Sequence, residues 1–307
     1  VDHLTAGAQG PPAARGVAEV WLAQARLHQG RPLDALGALA RPMVDPDSLA
    51  HPWAPLHLRF NRILALGQLG RVADALRVSA DLDEAVAREG TVGARFVGPA
   101  ANAGAWVLRW CGREGEADER NERAVEATGG PTGPSAEALA EGHYVALLDL
   151  ADGRLLRGDA AGASALAERL APVDRWTGTM SWHQRHRLGL LRAKLALAGG
   201  DPASAAALAA SVVDDAAQRG AERYELLARA VLGLADPSIP VELLDPVVDG
   251  LGRSAVLDGW SLVAALAAAR KVEAWRVTAE ERAAAVVAAA GDHGVAAQRF
   301  ADARLRG

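Results

Sequence analysis

The chain is short of several things, and each shortage excludes something. It has one cysteine, Cys111, in 307 residues. No internal disulfide can form, and the composition suits a reducing, cytoplasmic compartment. Lysine is nearly missing: Lys194 and Lys271 stand alone, and the other basic residues are arginines without a basic run. With a net charge of −5, no electropositive face for direct nucleic-acid binding is expected. No stretch approaches the ~18 uninterrupted apolar residues of a membrane span, and no basic start followed by an apolar run suggests a signal peptide. The sequence opens on Val1 without a start Met and reads as a segment of a longer protein. Phe and Tyr are scarce (three and two), whereas Ala and Leu dominate the apolar set. That favours close-packed helices over a sheet.

Catalytic signatures are sparse as well. Neither lysine follows a glycine, so the phosphate-binding GxxxxGK[ST] loop is missing, as are GxSxG and any cysteine pair for zinc. His183 and His186 could share a helix face but have no evident third metal ligand. His51 and His57 flank a Pro-rich loop, Asp214 and Asp215 read as a solvated face, and Cys111 reads as a small packed residue. No cofactor or metal is expected.

What is present is a repeated hexapeptide. "GRPLDA" starts at Gly30, "GRVADA" at Gly70, "GREGEA" at Gly112, "GDAAGA" at Gly158, "GDPASA" at Gly200 and "GDHGVA" at Gly291. The first five lie roughly 40 to 46 residues apart, a helix-hairpin spacing, and each sits between helix-patterned segments. In "WHQRHRLGLLRAKLALAG", Leu188, Leu191 and Leu195 share one face. Glycine ends the first helix because it takes the left-handed conformation without a Cβ penalty. Asp201 then caps the next helix and Pro202 fits its first turn, as Pro32 does in the first copy. Seven residues before each Gly stand Ala23, Ile63, Ala105, Ala151 and Ala193. Small side chains therefore face the Ala five residues after it, and the two helices can approach closely. In the third copy Gly115 competes with Gly112 as the turn residue.

This pattern resembles the tetratricopeptide (TPR) repeat, with Gly at the turn, Ala five residues later, then an aromatic and a further Ala. Gly291, Ala296, Phe300 and Ala303 match it, whereas the first five copies replace the aromatic with Leu39, Ser79, Asn121, Ala167 and Ala209. "ADPSIP" from Ala235 is a weaker copy. Longer, Ala-rich repeats of this kind are similar to those C-terminal to the ATPase module in actinobacterial STAND-type regulators, including large LuxR-type ones. The resemblance implies an all-α fold: a right-handed α-α superhelix, a TPR-like solenoid of about seven helix hairpins. Residues 1–14 are expected to be linker, 15–235 repeats, and 236–307 further repeats capping the same solenoid. The long connections at 41–55 and 171–183 are of a length often put to functional use.

In such an array the first helix of each pair lines the concave surface. Offsets from each Gly place Trp21, Gln24 and His28 there, then His57, Asn61 and Gln68, then Asn102, Trp106 and Trp110, followed by Asp149 and Asp152, and Arg187 and Lys194. Amides there could hydrogen-bond an extended backbone and tryptophans could stack on a ligand, while the alternative is that tryptophans fill interhelical gaps. The implied function is a non-catalytic protein-interaction or ligand-sensing arm of a STAND-type ATPase or transcriptional regulator. Its partner would be a protein or peptide, or the ATPase module of its own chain, with a small-molecule inducer as a further option. The rivals are a free-standing TPR adaptor and a helical hydrolase with Asp149 and Asp152 as its acid pair, three residues apart on one face.

Overall fold

A computed structural model describes residues 7, 12–44, 51–128, 136–175 and 181–306. Within them are sixteen α-helices and no strand. In order they are α1 (Pro12–His28), α2 (Pro32–Val44), α3 (Ala54–Gln68), α4 (Val72–Arg88), the short α5 (Gly90–Ala94), α6 (Val97–Trp110), α7 (Glu114–Thr128) and α8 (Ala136–Leu156). There follow α9 (Ala160–Arg169), α10 (Ser181–Ala198), α11 (Pro202–Arg219), α12 (Glu222–Ala235), α13 (Val241–Ser254), α14 (Gly259–Arg270), α15 (Glu273–Ala289) and α16 (Gly294–Arg306). None is long and apolar enough to cross a membrane.

The repeated hexapeptide is the turn joining α1 to α2, α3 to α4, α6 to α7, α8 to α9 and α10 to α11. The five turn glycines have φ between 68° and 82°. After each, the next N–H reaches back to the carbonyl five residues earlier at 2.8–2.9 Å, which satisfies a carbonyl the ending helix would leave unpaired. The second helix then starts on its cap. Asp201 accepts from the Ser204 N–H at 3.0 Å and Asp159 from the Gly162 N–H at 2.8 Å. Gly112, rather than Gly115, makes the third turn; Gly115 lies inside α7.

The packing follows the letters. Ala23, Ile63, Ala105, Ala151 and Ala193 are all fully buried, and so are Ala35, Ala75, Ala117, Ala163 and Ala205 on the facing helices. Four of the five pairs thus close through alanine on both helices, and the second through Ile63 against Ala75; an added methylene would overpack by about 1–3 kcal/mol. The positions that lack the aromatic, Leu39, Ser79, Asn121, Ala167 and Ala209, are buried too. Their polar members are partnered: Ser79 Oγ accepts from Arg120 at 3.3 Å, and Asn121 Nδ2 donates to Asp149 at 2.8 Å.

Past Ala235 the turns change. Asp236 is extended, with its carboxylate accepting from the Ser238 N–H at 2.9 Å, and no left-handed residue joins α12 to α13. Between α14 and α15 the left-handed position is Lys271 (φ 56°), with the Val272 N–H bonded to the Ala267 carbonyl at 3.1 Å. That is the same turn without its glycine, so the hexapeptide pattern passes over it. Gly291 (φ 57°) joins α15 to α16 through a short 3-10 turn, and Ala296 is only half-buried. Residues 12–14, expected as linker, belong to α1. Of the two long connections, residues 45–50 and 176–180 lie outside the described residues, and the rest is largely taken up by helix ends and a 3-10 turn at Ala171–Arg175.

The C-terminal helices pack back against the start of the chain. The Val256 N–H donates to the Gln68 carbonyl at 3.1 Å. Ser254 abuts Gly30, Val256 abuts Gly70, and the Ala296 carbonyl abuts Gly112. One core cluster joins Leu56, Ile63, Val107 and Cys111 to Leu257, Trp260, Val286 and Phe300. Trp110 stands edge-on to both Trp260 (6.1 Å) and Phe300 (5.7 Å). The array therefore closes on itself and leaves a space in its middle.

Candidate ligand cavity

That space is a cavity of about 470 Å³. It is lined by the first helix of every pair, α1, α3, α6, α8, α10, α12 and α14, with Arg304 added from α16. The register is regular. Counting back from each turn glycine, the sixth and second residues line the cavity in all five pairs: Gln24 and His28, Leu64 and Gln68, Trp106 and Trp110, Asp152 and Leu156, Lys194 and Ala198. Four residues apart is one turn of one helix face. Counted from Lys271, Ala265 holds the same sixth position and also faces the cavity.

Of the residues picked out by sequence, Gln24, Asn102, Trp106, Trp110, Asp149, Asp152, Arg187 and Lys194 meet at this cavity. Trp21, His57 and Asn61 do not. Asn61 is fully buried and its Nδ2 donates to the Val20 carbonyl at 2.8 Å, which ties α3 to α1. His57 Nε2 donates to Gln24 Oε1 at 2.5 Å, and its ring packs against Trp21 (4.7 Å) and Trp53 (5.5 Å). Asn102 and Gln68 donate in the same way to the Val145 and Leu27 carbonyls, at 3.2 and 3.4 Å. The amides expected to meet an extended backbone instead meet helix carbonyls of the neighbouring pair of the same chain.

Most of the tryptophans are interhelical packing. Trp260 is buried and donates to the Leu257 carbonyl at 3.1 Å, and Trp275 donates to Asp245 at 2.8 Å. Trp182 packs edge-on against His28 and His186. Among the described tryptophans only Trp106 and Trp110 line the cavity. The Arg223 guanidinium sits 5.8 Å from the Trp106 ring centroid, a cation–π distance.

An unbroken alternation of charge passes through one wall: Arg304, Arg109, Asp149, Arg187, Asp152 and Lys194 line the cavity, and Glu114, Arg157 and Asp118 link them from outside its lining. Arg304 approaches Glu114 (3.8 Å), which approaches Arg157 (3.9 Å); Arg157 holds Asp118 (2.6 Å), which also holds Arg109 (2.8 Å). Arg109 pairs with Asp149 (2.6 Å), which meets Arg187 (3.3 Å); Arg187 approaches Asp152 (3.8 Å), and Asp152 meets Lys194 (3.4 Å). Arg109 is 1% exposed. Burial alone would favour loss of its proton, but Asp149 and Asp118 outweigh it and keep the guanidinium charged. On another wall Arg223 pairs with Asp258 at 2.5 Å.

Beside Arg223 lies a neutral patch. Burial pushes His28 down to about 3, helped by the positive field of Arg223, and His183 falls well below its usual value for the same first reason. The Tyr224 hydroxyl lies 2.5 Å from His183 Nε2, and burial raises the phenol. His186 turns away from the cavity to Asp215 at 2.6 Å. Among the described residues no group of three His, Cys, Asp or Glu could hold a metal ion. Cys111 is buried, donates to the Leu108 carbonyl at 3.2 Å, and has its thiol pushed up to about 11 by burial.

The offsets missed Arg109, Arg223, Tyr224, Asp258 and Arg304. The first is one turn from Trp106 and was within reach of the same counting. Arg223, Tyr224 and Asp258 come after the fifth hexapeptide and outside the reach of the sixth, and Arg304 lies on the helix that follows Gly291, which offsets counted back from a glycine do not reach.

No protein-family model matches this chain, and no curated protein matches it either. The tetratricopeptide likeness therefore rests on the turn motif and on the consecutive packing of helix pairs.

Proposed function

We propose that this chain is a non-catalytic, TPR-like right-handed superhelix of about seven hairpins that binds a small molecule in its central cavity and passes the occupancy on to a protein partner. One observation carries the reading: the sixth and second positions before the first five turn glycines converge on a single cavity. A cavity of about 470 Å³ falls in the range of small-ligand pockets. An open groove would suit an extended peptide, whereas here α14 and Arg304 of α16 add a further wall to those of the first helices of the repeats. The hydrolase reading is weakened because Asp149 and Asp152 each already face two cations.

Because every pair contributes to the wall, a ligand that draws the pairs inward alters the contacts at Gly30, Gly70 and Gly112 with the C-terminal helices. That is a route from ligand to shape, and it suits the regulatory arm of a STAND-type ATPase better than a passive adaptor. The parent reading frame upstream of Val1 should then encode a phosphate-binding loop.

The test is a small-molecule screen read by tryptophan fluorescence and thermal shift, repeated on Leu64→Trp, which fills the cavity. Hits lost in Leu64→Trp with helicity kept support the reading. Hits indifferent to that change, or binding only to peptides or proteins, refute the cavity and leave the adaptor.

A further inference from the structure

The ion-pair chain, six of whose members line the cavity, has an odd number of members. From Arg304 to Lys194 it runs cation, carboxylate, cation, and so on through nine residues, and among the described residues both ends are cations. Five positive charges face four negative ones. Arg223 does not change this, since Asp258 answers it. The inner links are short, at 2.6–2.8 Å through Asp118, Arg109 and Asp149, and they loosen toward Lys194 to 3.3, 3.8 and 3.4 Å. Arg187 and Lys194 thus share what Asp149 and Asp152 can still offer. Lys194, at 35% exposure, is the more accessible of the two. Both terminal cations line the cavity, whose remaining wall includes Leu64, Trp106, Leu227 and Leu262.

We infer that the cavity takes a small organic monoanion with an apolar or ring-containing body, its negative charge at the Lys194 end of the wall and its body toward Trp106. One anion completes the alternation, so no carboxylate has to be displaced. A cationic ligand would instead add to a wall that already has a cation to spare, and a neutral one would leave Lys194 underpaired. The inference rests on the cavity reading above and adds the charge of the occupant.

Two dyes with one ring skeleton separate the two statements. Anilinonaphthalene sulfonate is a monoanion that fluoresces in apolar sites, and phenylnaphthylamine is the same body without the sulfonate. The anion should bind about tenfold more tightly than the neutral dye, as a charge-assisted contact implies, and the gap should shrink with added salt. Lys194→Met should lose about that factor for the anion and leave the neutral dye unchanged, and Lys194→Arg should restore it. Leu64→Trp should abolish both. If both dyes bind equally, or the neutral one more tightly, and both are lost in Leu64→Trp, the cavity stands and the anion preference is wrong. If neither binds in a manner sensitive to Leu64→Trp, the cavity reading falls with it. The dye comparison on the unaltered protein decides the matter even if Lys194→Met fails to fold.

Discussion

Gly112 and Gly200 hold the same place in two copies of the turn, with φ of 78° and 75°, yet their surroundings differ. A Cβ on Gly200 would meet nothing within 4 Å. A Cβ on Gly112 would lie 2.4 Å from the Ala296 carbonyl oxygen and 3.0 Å from Phe300 Cβ. Gly200→Ala should therefore cost only the left-handed penalty, about 1 kcal/mol. Gly112→Ala carries that penalty plus overpacking against helix backbone, which cannot swing aside as a side chain can, for about 3 kcal/mol in all. In a chain of this size these values correspond to losses in Tm of about 2 °C and about 6 °C. The obstacle belongs to α16, so Gly112→Ala should also lift that helix. Trp110, which packs on Phe300, should change its emission before helicity is lost. Urea titrations followed by circular dichroism and by fluorescence measure both effects. Equal losses for the two variants, within about 0.5 kcal/mol, would show that α16 does not rest on the third turn and that the array is open.

Three further outcomes are expected. Arg109→Met leaves Asp149, 4% exposed, facing one cation fewer in a buried setting, and should cost about 3 kcal/mol in urea denaturation. His28 and His57, with folded values of about 3 and about 4 against 6.5 unfolded, take no proton in the fold but take one when unfolded. Stability should thus be level above pH 6.5 and fall as pH drops from there toward 4, by about 2 kcal/mol per histidine at pH 5. His57→Gln should flatten that fall when urea midpoints are compared at pH 7 and pH 5. Cys111, its thiol raised to about 11 and buried, should stay unmodified by an aromatic disulfide reagent in the folded protein and react at once when it is unfolded.

Much of the pairing of helices was legible in the sequence because a left-handed turn selects glycine, and a close helix crossing selects alanine on both sides. Those are local demands, readable one turn at a time. The Lys271 turn escaped because it takes the same left-handed backbone without a glycine, the one letter the pattern looks for. The cavity lining was legible wherever a turn glycine set the register, as Gln24, Trp106 and Lys194 show. What could not be read locally was which polar residues the neighbouring pair would use. Asn61 and His57 look like groove residues by offset, but partners on α1 take up their hydrogen bonds. Nor does any local pattern announce that Val256 will return to Gln68 across 188 positions of chain. Closure is a contact between distant parts of the chain, and no single hexapeptide encodes it.

The same hydrogen bond from Val256 to Gln68 limits how this protein can change over generations. An open row of helix pairs can gain or lose a unit at either end while the rest stay as they were. A row whose tail must land on its own head behaves more like a barrel with a set number of staves. One pair duplicated or deleted would shift the tail past the turns at Gly30, Gly70 and Gly112, so new specificity is more readily reached by exchanging the residues that face inward than by altering the number of pairs.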